Sequence, residues 1–236
     1  MSRYVITLSR DFASMGRSIA KELAARMGCE FYDRDIVEQT ARRMGLRVSE
    51  IANNEEAAHN IFYRRIYPLG MGIKSMQDEI FAVQKNIIQD LAARQSCIIV
   101  GRCADEVLKD QPNLLNVHIF APTEARLKNC VEKLEMDEET ARRTMARVDK
   151  ARAGYHRVYG GGDVRVNCHV MLNSADCPTE ILYVIPSFLS LPACGKAGRS
   201  FPGGPLFPVF WGIVAGKRSQ TAVYWEQIRS KGVVSV

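Results

Sequence analysis

Residues 4–28 read YVITLSRDFASMGRSIAKELAARMG, and this stretch decides the fold class. The run Tyr4–Leu8 is short and apolar, as expected of a buried parallel strand. Gly28 stands where a helix end favours a left-handed residue. Between them, apolar residues recur at helical spacing, namely Ile19, Ala20, Leu23, Ala24 and Met27. The stretch therefore predicts a strand, a turn and a helix that begins near Gly16.

The turn in this unit has the position of a phosphate-binding loop. Backbone N–H groups at a helix N-terminus form a positively polarised concave surface that attracts anions. Measured against G-x-x-x-x-G-K-[ST], the sequence keeps Gly16 but has Asp11 at the first glycine. Arg17 stands for the lysine, and Ser18 is the expected Mg²⁺ ligand. The match is degenerate, and an ordinary strand-turn-helix connection with one glycine fits the same residues.

The next elements repeat this alternation of strand and helix periods. Cys97–Val100 and Leu115–Phe120 are further apolar strand candidates, and Cys168–Leu172 is a possible fourth. Helical stripes run from Ile36 to Met44 and from Ile80 to Leu91. Strands that alternate with helices predict an α/β fold with a parallel sheet.

Three segments depart from the alternation. Leu46–Lys74 lacks clean periodicity, which is typical of an excursion that covers substrates. Asp137–Ala153 is a strongly basic helical segment with Asp137 as its N-cap, and Gly160–Gly162 breaks it. Beyond residue 175, prolines and glycines replace any regular pattern. We interpret residues 176–236 as a poorly ordered extension or an altered reading frame, in preference to a functional module.

Composition restricts the class of protein. Of the 236 residues, 47% are hydrophobic and 25% are charged, as in globular domains with one sizeable core. The sequence has no signal peptide and no apolar run of about 18 residues, so we expect a soluble protein without a membrane partner. Seven cysteines without a C-x-x-C pair indicate the reducing cytoplasm. The net charge of +6 fits phosphate-bearing small molecules, since no nucleic-acid motif accompanies it.

Four blocks follow one another along the chain: VITLSRDFASMGRSIAKELAARMGCEFYDRDIV, CIIVGRCADEVL, VHIFAPTEARLKN and VDKARAGYHRVY. Together they resemble the cytidylate kinase-like family of P-loop kinases, over about residues 3–175. The resemblance implies a three-layer α/β kinase domain over residues 1–175. Within it, residues 34–90 would form the monophosphate-binding excursion and residues 137–162 a basic lid. Small-molecule nucleotides are the implied ligands, with ATP and Mg²⁺ as cofactors.

The resemblance also assigns site residues. On the donor side, the ATP phosphates would be held by the loop Ala13, Ser14, Met15, Gly16, Arg17 and Ser18, with Mg²⁺ at Ser18. On the acceptor side, Asp33 and Arg34 match the start of the monophosphate site, and Gly101 and Arg102 match the Gly-Arg that touches the acceptor. Asp149 and Arg152 match the Asp-x-x-Arg of the lid, where the family reads cytosine and clamps phosphate.

Two departures from the family pattern bear on activity. The family loop reads F-G-S-G-G-R, so Ala13 and Met15 stand where glycine is common. If either backbone adopts a positive φ, the cost is about 1 kcal/mol or more, which would weaken turnover without changing the fold. Cys103 stands where related cytidylate kinases carry an aspartate, and Asp105, one helical turn later, is its candidate substitute.

Phosphoryl transfer requires alignment and positive charge more than covalent chemistry. We therefore predict catalytic roles for Arg17 at the β- and γ-phosphates and for Arg147 and Arg152 in the lid, with Arg102 at the acceptor phosphate. The predicted activity is transfer of the γ-phosphate of ATP to CMP or dCMP. A catalytically impaired nucleotide-binding regulator and a kinase for another small metabolite are the alternatives.

Several of these residues have structural interpretations too. Asp33 could cap the helix that follows it. Arg142 and Arg143 lie at helical spacing from Glu138 and Glu139, which favours a solvated face. The four histidines show no metal-ligand spacing, so structural roles are expected for them. The sequence leaves the oligomeric state open.

Overall fold

The computed structural model describes residues 3–57, 76–175, 181–182 and 185–186, all within a compact unit that spans residues 1–189. Its strands form one sheet and comprise β1 (Val5–Arg10), β2 (Glu30–Tyr32), β3 (Cys97–Val100), β4 (Leu114–Phe120) and β5 (Val170–Asn173). Neighbouring strands all pair in parallel, in the order β2-β3-β1-β4-β5. The predicted parallel α/β sheet is confirmed.

Helices connect the strands and cover both faces of the sheet. They are α1 (Gly16–Met27), α2 (Arg34–Met44), α3 (Val48–Ala57), α4 (Met76–Arg94), α5 (Ala104–Val107), α6 (Thr123–Leu134), α7 (Glu138–Tyr159) and α8 (Val164–Asn167). Side chains alternate across β3: Ile98 and Val100 pack with α1, whereas Cys97 and Ile99 pack with α2 and α4. This alternation produces the three layers.

Strand boundaries differ from the sequence prediction at several ends. β4 begins one residue earlier, at Leu114, and β5 spans Val170–Asn173 instead of Cys168–Leu172. β1 continues to Arg10 instead of ending at Leu8, because Ser9 and Arg10 pair in register with His118 and Ile119 of β4. β2 was not predicted. It has only three residues, begins with the exposed Glu30 and pairs with β3 alone, so it carries too short a pattern to be recognised.

Predicted helix ends are confirmed. Gly28 adopts a left-handed conformation (φ 61°) at the end of α1. The Asp137 carboxylate accepts a hydrogen bond from the Thr140 N–H at 2.9 Å and so caps α7. α7 continues past Ala153 to Tyr159 and ends at Gly160, so the glycine run terminates it as expected. Most of the segment predicted to be a lid is thus one helix of 22 residues.

The irregular segments are described in part. Within Leu46–Lys74, residues Val48–Ala57 are the helix α3, and residues 58–74 lie outside the described residues. Of residues 176–236, the structure describes four, and Ile181, Leu182 and Ile185 are buried in the same core as α1. The interpretation of the rest of this extension as poorly ordered falls outside the described residues and stays a prediction. Within the described ranges, no helix combines the length and apolar character needed to cross a bilayer.

Candidate active site

The loop between β1 and α1 adopts a strained backbone. Ala13 and Met15 both have φ of 58°, a left-handed conformation that costs a non-glycine residue about 1–2 kcal/mol. Gly16 has a different requirement: a Cβ there would lie 2.8 Å from Cβ of Arg10 and 3.2 Å from Cβ of Ile119. The loop thus has glycine at position 16, where close packing requires it, but not at positions 13 and 15, where the positive φ favours it.

The backbone amides of the loop divide into two groups. The Phe12 N–H donates to the Asp149 carboxylate at 2.7 Å, and the Ser14 N–H lies 3.4 Å from the Asp11 carbonyl. By contrast, no described residue accepts a hydrogen bond from the N–H groups of the first turn of α1, Gly16–Ser18. These amides can donate hydrogen bonds to the oxygens of a phosphate chain.

Ser14 lies beneath the loop, fully buried. Its hydroxyl donates to the carbonyls of Asp11 (2.9 Å) and Ile119 (3.1 Å), and its own carbonyl accepts from the Ser174 hydroxyl at 2.6 Å. The Ser14 side chain therefore anchors the loop to the ends of β4 and β5. Ser18, in contrast, is exposed on the first turn of α1.

Two arginines meet a buried carboxylate beside the loop. Asp33 is only 4% exposed, and it accepts from Nε of Arg17 at 2.5 Å and lies 3.8 Å from Nη2 of Arg10. It occupies the N-cap position of α2 but makes no side-chain capping hydrogen bond. The capping interpretation of Asp33 is therefore wrong, because its carboxylate is engaged by guanidinium groups. The adjacent Arg34 is exposed.

Two further arginines extend this charge cluster. Burial lowers the pKa of Arg10 below its usual range, as do the positive charges of Arg152, Arg102 and Arg17, while Asp33 opposes the shift. Burial likewise lowers the pKa of Arg152. We call Arg10, Arg17, Arg102 and Arg152 the arginine cluster. Its members come from β1, α1, the turn after β3 and α7. Arg10 and Arg17 lie beside Asp33, and Arg152 donates to the Arg10 carbonyl.

The turn after β3 is left-handed over three consecutive residues. Gly101, Arg102 and Cys103 have φ of 75°, 57° and 52°. A Cβ on Gly101 would lie 2.6 Å from Nη1 of Arg10, so a larger residue would displace that guanidinium, and the positive φ itself favours glycine. The turn follows the carboxyl end of β3, at the same sheet edge as the loop after β1.

Charged groups join helix α7, the predicted lid, to the loop. Asp149 accepts from Nη1 of Arg126 at 2.5 Å as well as from the Phe12 N–H, and Nη1 of Arg152 donates to the Arg10 carbonyl at 3.1 Å. The Arg152 guanidinium also lies 6.0 Å from the Phe12 ring centroid. Asp149 is thus engaged with the protein itself.

The other charged residues of α7 are outside the arginine cluster. Arg142 and Arg143 pair with Glu138 and Glu139 at helical spacing, which confirms the solvated-face interpretation. Arg147 is exposed on α7.

Asp105 forms a buried pair with His156 of α7. Its Oδ2 lies 2.8 Å from Nε2 of His156, and the other ring nitrogen lies 2.8 Å from the Gly162 carbonyl. Since both partners are acceptors, only the imidazolium can donate both hydrogen bonds. Burial lowers the pKa of His156, but the hydrogen bonds to Asp105 and Gly162 outweigh it and hold the pKa above 6.5.

Sequence reasoning missed Arg10, Arg126 and His156. Arg10 could have been found from its place at the carboxyl end of a central strand, where parallel sheets bind ligands. No local signal marks Arg126 or His156, because their partners Asp149 and Asp105 are 23 and 51 residues away. Among the described residues, no group of three or more His, Cys, Asp or Glu side chains could hold a metal ion.

The sequence was then compared with known proteins. The model of the cytidylate kinase-like family matches residues 5–174. The chain belongs to this family. The resemblance inferred from the four sequence blocks is thereby confirmed, and with it the P-loop kinase fold. Among curated proteins, none matches the sequence.

Several solved structures are similar to this cytidylate kinase-like chain, and the first one described here shares its fold. An uncharacterized protein from Eubacterium ventriosum is 23% identical, with a TM-score of 0.59 over 79% of this chain and 98% of that one. A shikimate kinase from Bacteroides thetaiotaomicron is 10% identical (TM-score 0.46, covering 80% and 99%). A sugar kinase from Janibacter sp. HTCC2649 is 16% identical (TM-score 0.48, covering 80% and 96%).

Replacing Ala13 by glycine tests the strain in the loop. Relief of the left-handed strain outweighs the greater unfolded-state entropy of glycine, so Ala13→Gly should raise the free energy of unfolding by up to about 1 kcal/mol. The matched control Ala25→Gly, at an exposed position within α1, should lower it by about 1 kcal/mol. Urea denaturation measures both. If Ala13→Gly and Ala25→Gly lowered the free energy of unfolding equally, the proposed strain at Ala13 would be contradicted.

The buried pair of His156 and Asp105 predicts a pH dependence. Because the folded pKa of His156 is raised, its stabilising contribution is complete below the unfolded pKa of about 6.5 and is lost as pH rises through the folded pKa. The difference in unfolding free energy between wild type and His156→Gln should therefore be larger at pH 5.5 than at pH 9. Asp105→Asn should show the same trend. If the unfolding free energies of wild type and His156→Gln differed by the same amount at both pH values, His156 would not be an imidazolium in the folded protein.

Proposed function

We propose that the protein transfers the γ-phosphate of ATP to a nucleoside monophosphate, CMP or dCMP. One observation carries this proposal: the open amides of the first turn of α1 face the same sheet edge as the arginine cluster. A helix N-terminus binds one phosphate chain, and the surrounding guanidinium groups supply the charge for a second. Two adjacent phosphate-binding regions of this kind suit transfer between two phosphorylated ligands.

On the donor side, the fit to a triphosphate is good. The amides of Gly16–Ser18 have no acceptor within the described chain, and Arg17 lies at the mouth of the loop with 57% of its side chain exposed. Ala13, Ser14 and Met15 would contribute through the backbone, since the Ser14 hydroxyl is buried. The exposed Ser18 hydroxyl would hold Mg²⁺, which neutralises charge on the β- and γ-phosphates.

On the acceptor side, Arg102 would bind the monophosphate beside Gly101, with Asp33 and Arg34 at the start of the site. Asp33 orients Arg17 and Arg10 towards this space. Asp105 and Asp149 would have to exchange their present partners to read the base, because His156 and the Phe12 N–H engage them now. Release of α7 from the loop would supply that exchange and give the lid its motion.

The chemistry assigned to the chain is alignment and charge stabilisation. Arg17, Arg147 and Arg152 would donate hydrogen bonds to phosphate oxygens as negative charge redistributes during transfer. A phosphate acceptor is already ionised, so no general base is needed. The cysteines that the structure describes are all free thiols, which supports a reducing, cytoplasmic location.

One observation favours a second function. The strained Ala13 and Met15 stand in the donor loop, so the protein would be a nucleotide-binding regulator if that strain prevents a productive phosphate geometry. A kinase for another small metabolite is a third candidate, since an arginine cluster recognises phosphate more strongly than it recognises a base.

A coupled assay of ADP release separates these functions. With ATP and Mg²⁺, we expect turnover with CMP or dCMP to exceed turnover with UMP and AMP. ATP binding without phosphorylation of any nucleotide would reject the kinase function in favour of the regulator. Turnover only when the screen is widened to nucleosides and metabolites would reject CMP and dCMP as acceptors.

The role of Arg17 can be tested separately. Arg17→Ala should lower turnover at least about tenfold, while the melting temperature changes little because the Arg17 side chain is 57% exposed and Arg10 still neighbours the Asp33 carboxylate. Arg26→Ala is the matched control, since Arg26 lies on the same helix and pairs with Glu22 at its surface. Steady-state kinetics and thermal denaturation measure both variants. Parallel losses of turnover and stability for Arg17→Ala would mark Arg17 as structural.

A further inference from the structure

Arg10 occupies a position that neither the phosphate-loop pattern nor the acceptor residues include. It is the last residue of β1, a central strand, and its side chain is only 14% exposed. Buried arginines are uncommon unless paired, since burial of a charge is costly. The described carboxylate that contacts it, Asp33, is 3.8 Å away and is shared with Arg17. An ion pair with Asp33 is therefore a poor explanation, by itself, for the burial of the Arg10 guanidinium.

Two glycines make room for the Arg10 side chain. A Cβ added to Gly16 would lie 2.8 Å from Cβ of Arg10. A Cβ added to Gly101 would lie 2.6 Å from Nη1 of Arg10. Gly16 opens the donor helix α1, and Gly101 precedes the acceptor residue Arg102. The side chain thus runs from the donor loop to the acceptor turn, and the two backbones fix its course.

The charges around Arg10 favour an anion. Burial and the neighbouring guanidinium groups, of which Arg152 has the largest effect, lower its pKa. The cost of burying the charge and the repulsion between the guanidinium groups both decrease when a multivalent anion binds among the arginines. The Arg10 carbonyl also accepts from Nη1 of Arg152 at 3.1 Å, so the lid helix contacts the same residue from above the site.

We propose that Arg10 is a catalytic residue whose guanidinium group contacts the phosphoryl group in transfer, between donor and acceptor. This inference rests on the proposed function. In the step, an acceptor phosphate oxygen forms a bond to the γ-phosphorus, and the bond to the β,γ-bridging oxygen breaks. The electron pair leaves with ADP. Arg10 keeps its proton throughout and donates hydrogen bonds to the equatorial oxygens, where charge is spread in the transition state.

Two variants test the proposal by kinetics. Arg10→Met should lower kcat by a factor on the order of 10² to 10³ and raise the KM for ATP about tenfold, since Arg10 would contact the terminal phosphate in the ground state and more strongly in the transition state. Arg10→Lys keeps the charge but not the paired donors, so it should recover only part of kcat. Arg43→Met, which removes a surface pair with Asp90, is the matched control and should behave as wild type. A raised KM with unchanged kcat, or turnover within threefold of wild type, would overturn the catalytic role.

A binding experiment separates this inference from the proposed function. Titration with inorganic tripolyphosphate, followed by calorimetry, needs no acceptor and no turnover. Arg10→Met should bind tripolyphosphate at least about tenfold more weakly than wild type and Arg43→Met. If wild type phosphorylates no acceptor but this difference is found, the kinase function fails and the phosphate contact of Arg10 stands. Equal binding by all three proteins would reject the contact itself.

Discussion

Parallel pairing of the strands is the constraint on which the site depends. Because β1 pairs with both β3 and β4 in parallel, the carboxyl ends of all three strands reach one edge of the sheet. The phosphate loop, the left-handed turn at Gly101 and the loop before α6 therefore meet there. Residues as distant along the chain as Phe12 and Asp149 come into hydrogen-bonding contact as a result.

Electrostatics then determine what this edge can bind. Asp33 is buried beside Arg17 and Arg10, while Arg102 belongs to the turn after β3 and Arg152 to α7. A site of several guanidinium groups around one carboxylate attracts anions with more than one oxygen. The open amides of the first turn of α1 add directional donors. Membership of the cytidylate kinase-like family is consistent with this chemistry.

Local signals predicted the framework, whereas long-range contacts could not be predicted. Gly28 and Asp137 end and begin helices as their local chemistry requires, and the apolar runs of β1, β3 and β4 identify the central strands. Asp33 had an equally good local interpretation as a helix cap, and only the position of Arg17 decides against it. The pair of Asp105 and His156 depends on tertiary structure that no local pattern encodes.

The buried residues beyond the last strand set a limit on how the protein can be shortened. Ile181, Leu182 and Ile185 pack in the same core as Ile19 and Leu23 of α1. A chain cut after Ala175 would therefore expose the apolar face of the helix whose first turn carries the open amides.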